Sequence, residues 1–179
     1  MSVDLFDFPV HGRGQTGRAW RHDAPRSSAA GAGPAFAQLL LSSYERQTGR
    51  PLCPTSWSSD GEAAEWLYWQ APFGLLAHDT ADDPVFVYAN RTAQNRFDYT
   101  WQEFTVLPSR LSAAPDAQAG RNSFIASVAD NGYASGYRGL RRARTGRRFW
   151  IEDVTMWNVT DAGGVHHGQA AVFHSSTDA

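Results

Sequence analysis

Lysine is absent from this sequence: all sixteen basic side chains are arginine. Each cationic contact is therefore planar and fork-shaped, suited to bidentate partners such as carboxylate or phosphate. A single cysteine, Cys53, excludes an intramolecular disulfide framework and a cysteine-rich zinc module. No apolar run approaches the roughly 18 residues that a membrane-spanning helix needs, so no membrane partner is expected. The opening MSVDLFDFPVHGRG carries acids where a secretory leader carries bases. A cytoplasmic location is the expectation. There is no G-x-S-x-G elbow and no glycine-rich phosphate loop after a strand, so nucleophilic catalysis has no support.

What is present suits a folded domain. Of 179 residues, 42% are apolar, and seven Trp, ten Phe and six Tyr can bury large areas each. The net charge of −2 gives no global pull toward nucleic acid. Residues 1–33 lack a sustained period and read as a mobile arm. Residues 34–70 read as a helical lead-in, with Phe36, Leu39, Leu40 and Tyr44 at helical spacing, then Ser59 and Glu62 as a capping box for a second helix. Residues 71–175 read as the core. Two short strands (73–80 and 84–90) come first. A helix capped by Asn90, a second capped by Thr100 with Glu103, and a longer one from Asp116 follow. Three strands (133–144, 147–160 and 165–175) close the pattern through glycine-bearing turns. This order describes an α+β domain: a five-stranded antiparallel sheet with the helices of 91–131 on one face, plus an N-terminal helical extension. It is also the element order of a PAS domain.

The residues themselves resemble a family. APFGLLAHDTADDPVFVYANRTAQNRFDYTWQEFTVLPSRLSA (71–113), RRFWIEDVTMWNVTD (147–161) and HGQAAVF (167–173) are similar to the MEKHLA domain, and LLLSSYERQTGRPL and EAAEWLYWQAPF to its lead-in. The likeness covers roughly 35–175. It implies a PAS-like fold and a sensing or interaction role without a defined reaction. MEKHLA domains occur alone in bacteria and at the C-terminus of plant homeodomain–leucine zipper proteins. This chain has no homeodomain or zipper, so direct DNA binding is not expected.

His78-Asp79-Thr80 is the sharpest polar cluster. His78 either ligates a cofactor or acts as a base, with Asp79 orienting it, or packs beneath a turn whose amides Asp79 and Thr80 hold. His166, His167 and His174 cannot share one metal, because His166 and His174 stand about 27 Å apart along a strand and His167 points to the other face. Arg138, Arg141, Arg142, Arg144, Arg147 and Arg148 read first as a solvated hairpin, second as an anion clamp. Arg110 is the better pocket candidate. Along WIEDVTMWN one face carries Trp150, Glu152, Val154, Met156 and Asn158, the other Ile151, Asp153, Thr155 and Trp157. Neither is purely apolar, which points to a polar cavity. Met156 and Asn158, with Tyr88 and Gln169, complete the candidate ligand contacts.

Three readings follow. The leading one is a sensory or interaction domain that binds a small molecule, cofactor or protein partner. The first alternative is an enzyme using the PAS cavity for either a general acid/base reaction or a haem-dependent one, with haem held by His78, the one histidine outside the arm with an adjacent carboxylate. Against that, haem-binding PAS domains commonly place the ligand on the helix before the third strand, and 116–131 contain no histidine. The second alternative is a ligand-free module forming a homodimer through 34–69. Flavin-adduct chemistry is not expected, because the superfamily's photoreceptors need a cysteine on the helix after the second strand and RTAQNRFD has none.

Overall fold

Pro34 presets the first helical φ and opens α1 (Pro34–Thr48), which ends at Gly49 in the left-handed region. The structure, a computed structural model, describes residues 33–53 and 56–179; the arm expected over 1–33 lies, apart from Gly33, outside the described residues. In α2 (Asp60–Trp69) Ser59 accepts the Glu62 amide as expected. The reciprocal half of that capping box differs: the Glu62 carboxylate takes the amide of Ser58, not of Ser59. Strands β1 (Gly74–His78) and β2 (Phe86–Ala89) lead to α3 (Arg91–Phe97), capped by Asn90, and to α4 (Trp101–Phe104), where the Thr100–Glu103 box closes in both directions. Two short 3-10 turns, Ser109–Ser112 and Pro115–Ala117, precede α5 (Gln118–Asn131). The helix expected from Asp116 thus starts later, after a tighter turn opened by Pro115. Long strands β3 (Tyr133–Arg142), β4 (Arg148–Thr160) and β5 (His166–Asp178) finish the domain.

The strands form one antiparallel sheet in the order β2-β1-β5-β4-β3, so the last strand is central. Alternation along β5 sends Ala170 and Val172 to one core and Phe173 to another. The first core joins them to Leu75, Ala77, Trp157 and Val159 under α1 and α2. The second places Leu76, Phe86, Ile151 and Val154 with Ala93, Phe97 and Phe104 of α3 and α4. The sheet is therefore covered on both faces. Phe36, Leu40, Tyr44 and Leu67, the apolar residues that a homodimer through 34–69 would use, are buried against the chain's own sheet. Trp157 Nε1–H donates to Ser43 Oγ at 3.0 Å, and the Tyr44 ring meets Trp157 edge-on at 4.9 Å. That pair fastens α1 to β4.

Candidate functional site

Two irregularities decide which side chains meet. The β1–β2 register shifts between Ala77 and His78, pairing Ala77 with Tyr88 and His78 with Phe86. Tyr88 consequently faces the α1–α2 core, ringed by Phe36, Tyr68 and Trp101, and does not join Gln169. Burial holds its phenol well above the usual range. In β4, Asp153 sits at φ 50 and the β3–β4 register shifts between Tyr137 and Gly139. Strict alternation fails there, and Ile151 lines the same cavity as Val154 and Met156.

The cavity lies between the sheet and α5, with a volume of about 40 Å³. At roughly 10–15 Å³ per water, it holds about three waters or one compact molecule. His78, Gln169 and Asn158 form a cross-strand row over β1, β5 and β4, paired His78 to Gln169 and Asn158 to Gln169. Gln169 Nε2–H donates to Asn158 Oδ1 at 3.0 Å and to the Ile125 carbonyl at 3.4 Å, which fixes the amide orientation. Gln169 Oε1 is left buried without a partner. Asn158 Nδ2 donates to the Val128 carbonyl at 3.1 Å, tying β4 to α5. Asn158 is a support for the site and does not line it.

In His78-Asp79-Thr80 the side chain and the backbone of Asp79 do different work. The Asp79 carboxylate holds the turn, accepting from the amides of Ala81 (3.2 Å) and Val85 (2.9 Å). What orients the imidazole is the Asp79 backbone carbonyl, 2.9 Å from Nδ1. A carbonyl only accepts, so Nδ1 carries the proton and Nε2 presents a lone pair, buried and unpartnered. Burial lowers the His78 pKa from its ordinary 6.5 to about 4.

Above pH 6.5 His78 is neutral in both folded and unfolded chains and contributes no slope. As the pH falls from about 6.5 to about 4, the unfolded chain binds a proton that the folded one excludes, so stability is lost across that window. The loss should be about 3 kcal/mol and should level off below it. Carboxylates whose pKa is lowered by partners, among them Asp98 and Asp161, also lose stability in acid. The readout is therefore the difference between wild type and His78→Asn in urea unfolding at stepped pH. Parallel curves would assign the loss elsewhere.

Of the sequence candidates, His78, Met156 and Gln169 line the cavity, and Arg110 does not. Arg110 is half exposed and grips Asp83 with two bonds, Nε to Oδ1 at 3.0 Å and NH2 to Oδ2 at 3.1 Å. It belts the 81–83 turn to the first 3-10 turn. The arginines in the cavity are Arg121 on α5 and Arg141 on β3, both largely buried. Arg121 NH2 donates to Ser109 Oγ at 2.9 Å. Arg141 donates to the Leu140 carbonyl at 3.1 Å and lies against the Tyr137 ring, itself stacked on Phe124 at 4.3 Å. Among the described residues no carboxylate forms an ion pair with either. Burial, reinforced by Arg141, lowers the Arg121 pKa to about 10, and burial lowers that of Arg141. Of the other hairpin arginines, Arg138, Arg144, Arg147 and Arg148 form surface ion pairs, such as Arg138 with Glu152 and Arg148 with Asp116. Arg121 carried a legible signal. It stands at i with Phe124, Ile125 and Val128 at i+3, i+4 and i+7, a charge placed on the apolar stripe of a helix.

The His78 tautomer is the one a haem ligand needs, yet the space before Nε2 is far below the roughly 300–1,000 Å³ of cofactor-sized pockets. A porphyrin does not fit. Among the described residues no group of three His, Cys, Asp or Glu side chains could hold a metal ion. No described helix is long and apolar enough to cross a membrane.

Solved structures place the fold. A PAS domain from Colwellia psychrerythraea is similar at a TM-score of 0.51 and 14% identity, over 61% of this chain and 87% of that one. A light-oxygen-voltage domain is similar at 0.50 and 16%, over 60% and 77%. So is the blue-light-activated histidine kinase of Erythrobacter litoralis, at 0.50 and 18%, where 60% of this chain covers a third (33%) of the kinase. No curated protein matches by sequence. The MEKHLA domain family matches over residues 34–177, most of the chain. The protein belongs to the MEKHLA domain family and has a PAS-like fold.

Proposed function

We propose that this domain is a sensor whose cavity between the sheet and α5 binds a small molecule and reports its presence to α1. One observation carries the reading: two residues that line the cavity, His78 and Gln169, each hold a buried acceptor without a donor, Nε2 and Oε1. A buried acceptor left unpaired costs about 1–3 kcal/mol, which an occupant with a donor would recover. The route outward is short. Met156 lines the cavity, while the next residue, Trp157, holds Ser43 and Tyr44 of α1 on the opposite face. A ligand that displaces β4 therefore moves the seat of α1.

A fragment screen followed by amide NMR tests this. Fragments should shift the amides of His78, Gln169 and Arg121, and weaker shifts should follow in α1 around Ser43. Fragments that shift only residues outside β1, β5 and α5 would remove the reading.

A further inference from the structure

We propose that the cavity takes a compact hydroxycarboxylate, its carboxylate between Arg121 and Arg141 and its hydroxyl donating to His78 Nε2 or Gln169 Oε1. This rests on the cavity being a ligand site. The cavity lining carries groups with opposite needs. Two of its residues, Arg121 and Arg141, are largely buried guanidiniums with no carboxylate partner among the described residues. Buried charges are ordinarily paired, because an unpaired one loses its hydration without compensation. The existing contacts of this pair are neutral: Ser109 Oγ, Asn122 Oδ1 at 3.4 Å, the Leu140 carbonyl and Tyr137. A carboxylate has two oxygens and can give one to each fork.

His78 and Gln169, cross-strand neighbours in register, each present a buried acceptor without a donor. They require a ligand that donates a hydrogen bond. A hydroxyl does so without charge, whereas an ammonium would face two guanidiniums with no carboxylate lining the cavity to balance it. Much of the remaining lining is carbon, from residues such as Phe86, Ile151, Val154 and Met156. Inorganic phosphate, with polar oxygens on all sides, would turn some of them onto these walls unpaired. The volume of about 40 Å³ limits the occupant to one compact molecule.

The test is calorimetric titration of the full chain at pH 7 with glycolate and lactate. Lactamide lacks the charge, propionate lacks the hydroxyl, and inorganic phosphate lacks the carbon body. The hydroxycarboxylates should bind, with lactamide and propionate each weaker by about tenfold or more. Arg141→Met and Arg121→Met should each abolish binding while raising the melting temperature of the ligand-free protein, since each relieves a buried unpaired charge. A merely structural arginine would lower that temperature instead, and such a fall would overturn the proposal. Arg110→Met, on the paired surface arginine, should leave binding unchanged. Binding of lactamide equal to that of lactate, or of phosphate alone, would overturn the hydroxycarboxylate and leave the ligand-site reading standing. Silence of the hydroxycarboxylates with fragments still shifting His78 and Gln169 would do the same. Silence of both would remove both readings.

Discussion

Replacing Asn90 with alanine should destabilise the protein by about 4 kcal/mol, measured by urea unfolding, because the side chain makes four buried hydrogen bonds. Its Oδ1 accepts the amides of Leu75 and Ala93, both at 3.0 Å. Its Nδ2 donates to the carbonyls of Phe73 (2.8 Å) and Leu67 (3.3 Å). One residue thereby caps α3, holds the start of β1 and fixes α2 against both. Alanine leaves these four backbone groups buried without that partner. Asn90→Asp sharpens the test. Its second oxygen would face two carbonyls, so its folded pKa must rise above that of the unfolded chain. A raised folded pKa means stability that is present in acid and lost as the pH rises through it. Relative to wild type, the aspartate variant should therefore recover toward pH 4, which the alanine variant cannot do. Equal losses at all pH values would show that the Nδ2 bonds carry no weight.

Gly168→Ala should cost about 3–5 kcal/mol, from backbone strain together with lost ladder hydrogen bonds. Gly168 has φ 128, a region that residues with a Cβ rarely enter, and an added Cβ would lie 1.9 Å from the His78 carbonyl oxygen. That atom is backbone, so the β1–β5 pairing must open beside the His78–Gln169 row. Gly164→Ala is the control. Its φ of 82 is also positive, but nothing lies within 4 Å of its Cβ position. It should lose only about 1 kcal/mol. The excess of the first variant over the second measures how closely β5 approaches β1. Comparable losses would mean that the crowding is relieved without cost.

The elements were legible because their signals are local. Asn90, the Thr100–Glu103 pair and Asn131–Gly132 mark helix ends through bonds spanning three or four residues. The faces of the strands were legible only where the ladder is regular. Tyr88 was placed with the ligand contacts, but the irregular β1–β2 ladder beside His78 leaves it in the α1–α2 core. Ile151 was placed opposite Val154 for the same reason, and the left-handed Asp153 between them reverses that. The paired row of His78, Gln169 and Asn158 depends on strand register across 91 residues of sequence, which no local pattern encodes. Arg141 was indistinguishable from its hairpin neighbours: six arginines crowd that stretch, and only the sheet decides which one turns inward. Arg110 was preferred for its place after a proline stop, and Asp83 supplied the salt bridge that made it a belt.

The strand order has a consequence for how the chain assembles. With β5 between β1 and β4, the first hairpin and the β3–β4 hairpin have no direct pairing with each other. Until residues up to about 178 have been synthesised, β1 and β4 each present an open hydrogen-bonding edge, a condition that invites pairing with other chains. Joining the halves requires closing the loop between Gly74 and Phe173, so the decisive contacts are among the most distant in sequence. Such topology favours slow, late-committing folding over early local nucleation. Translation arrested before His166 would leave two half-sheets, each with its apolar surface open to neighbouring chains.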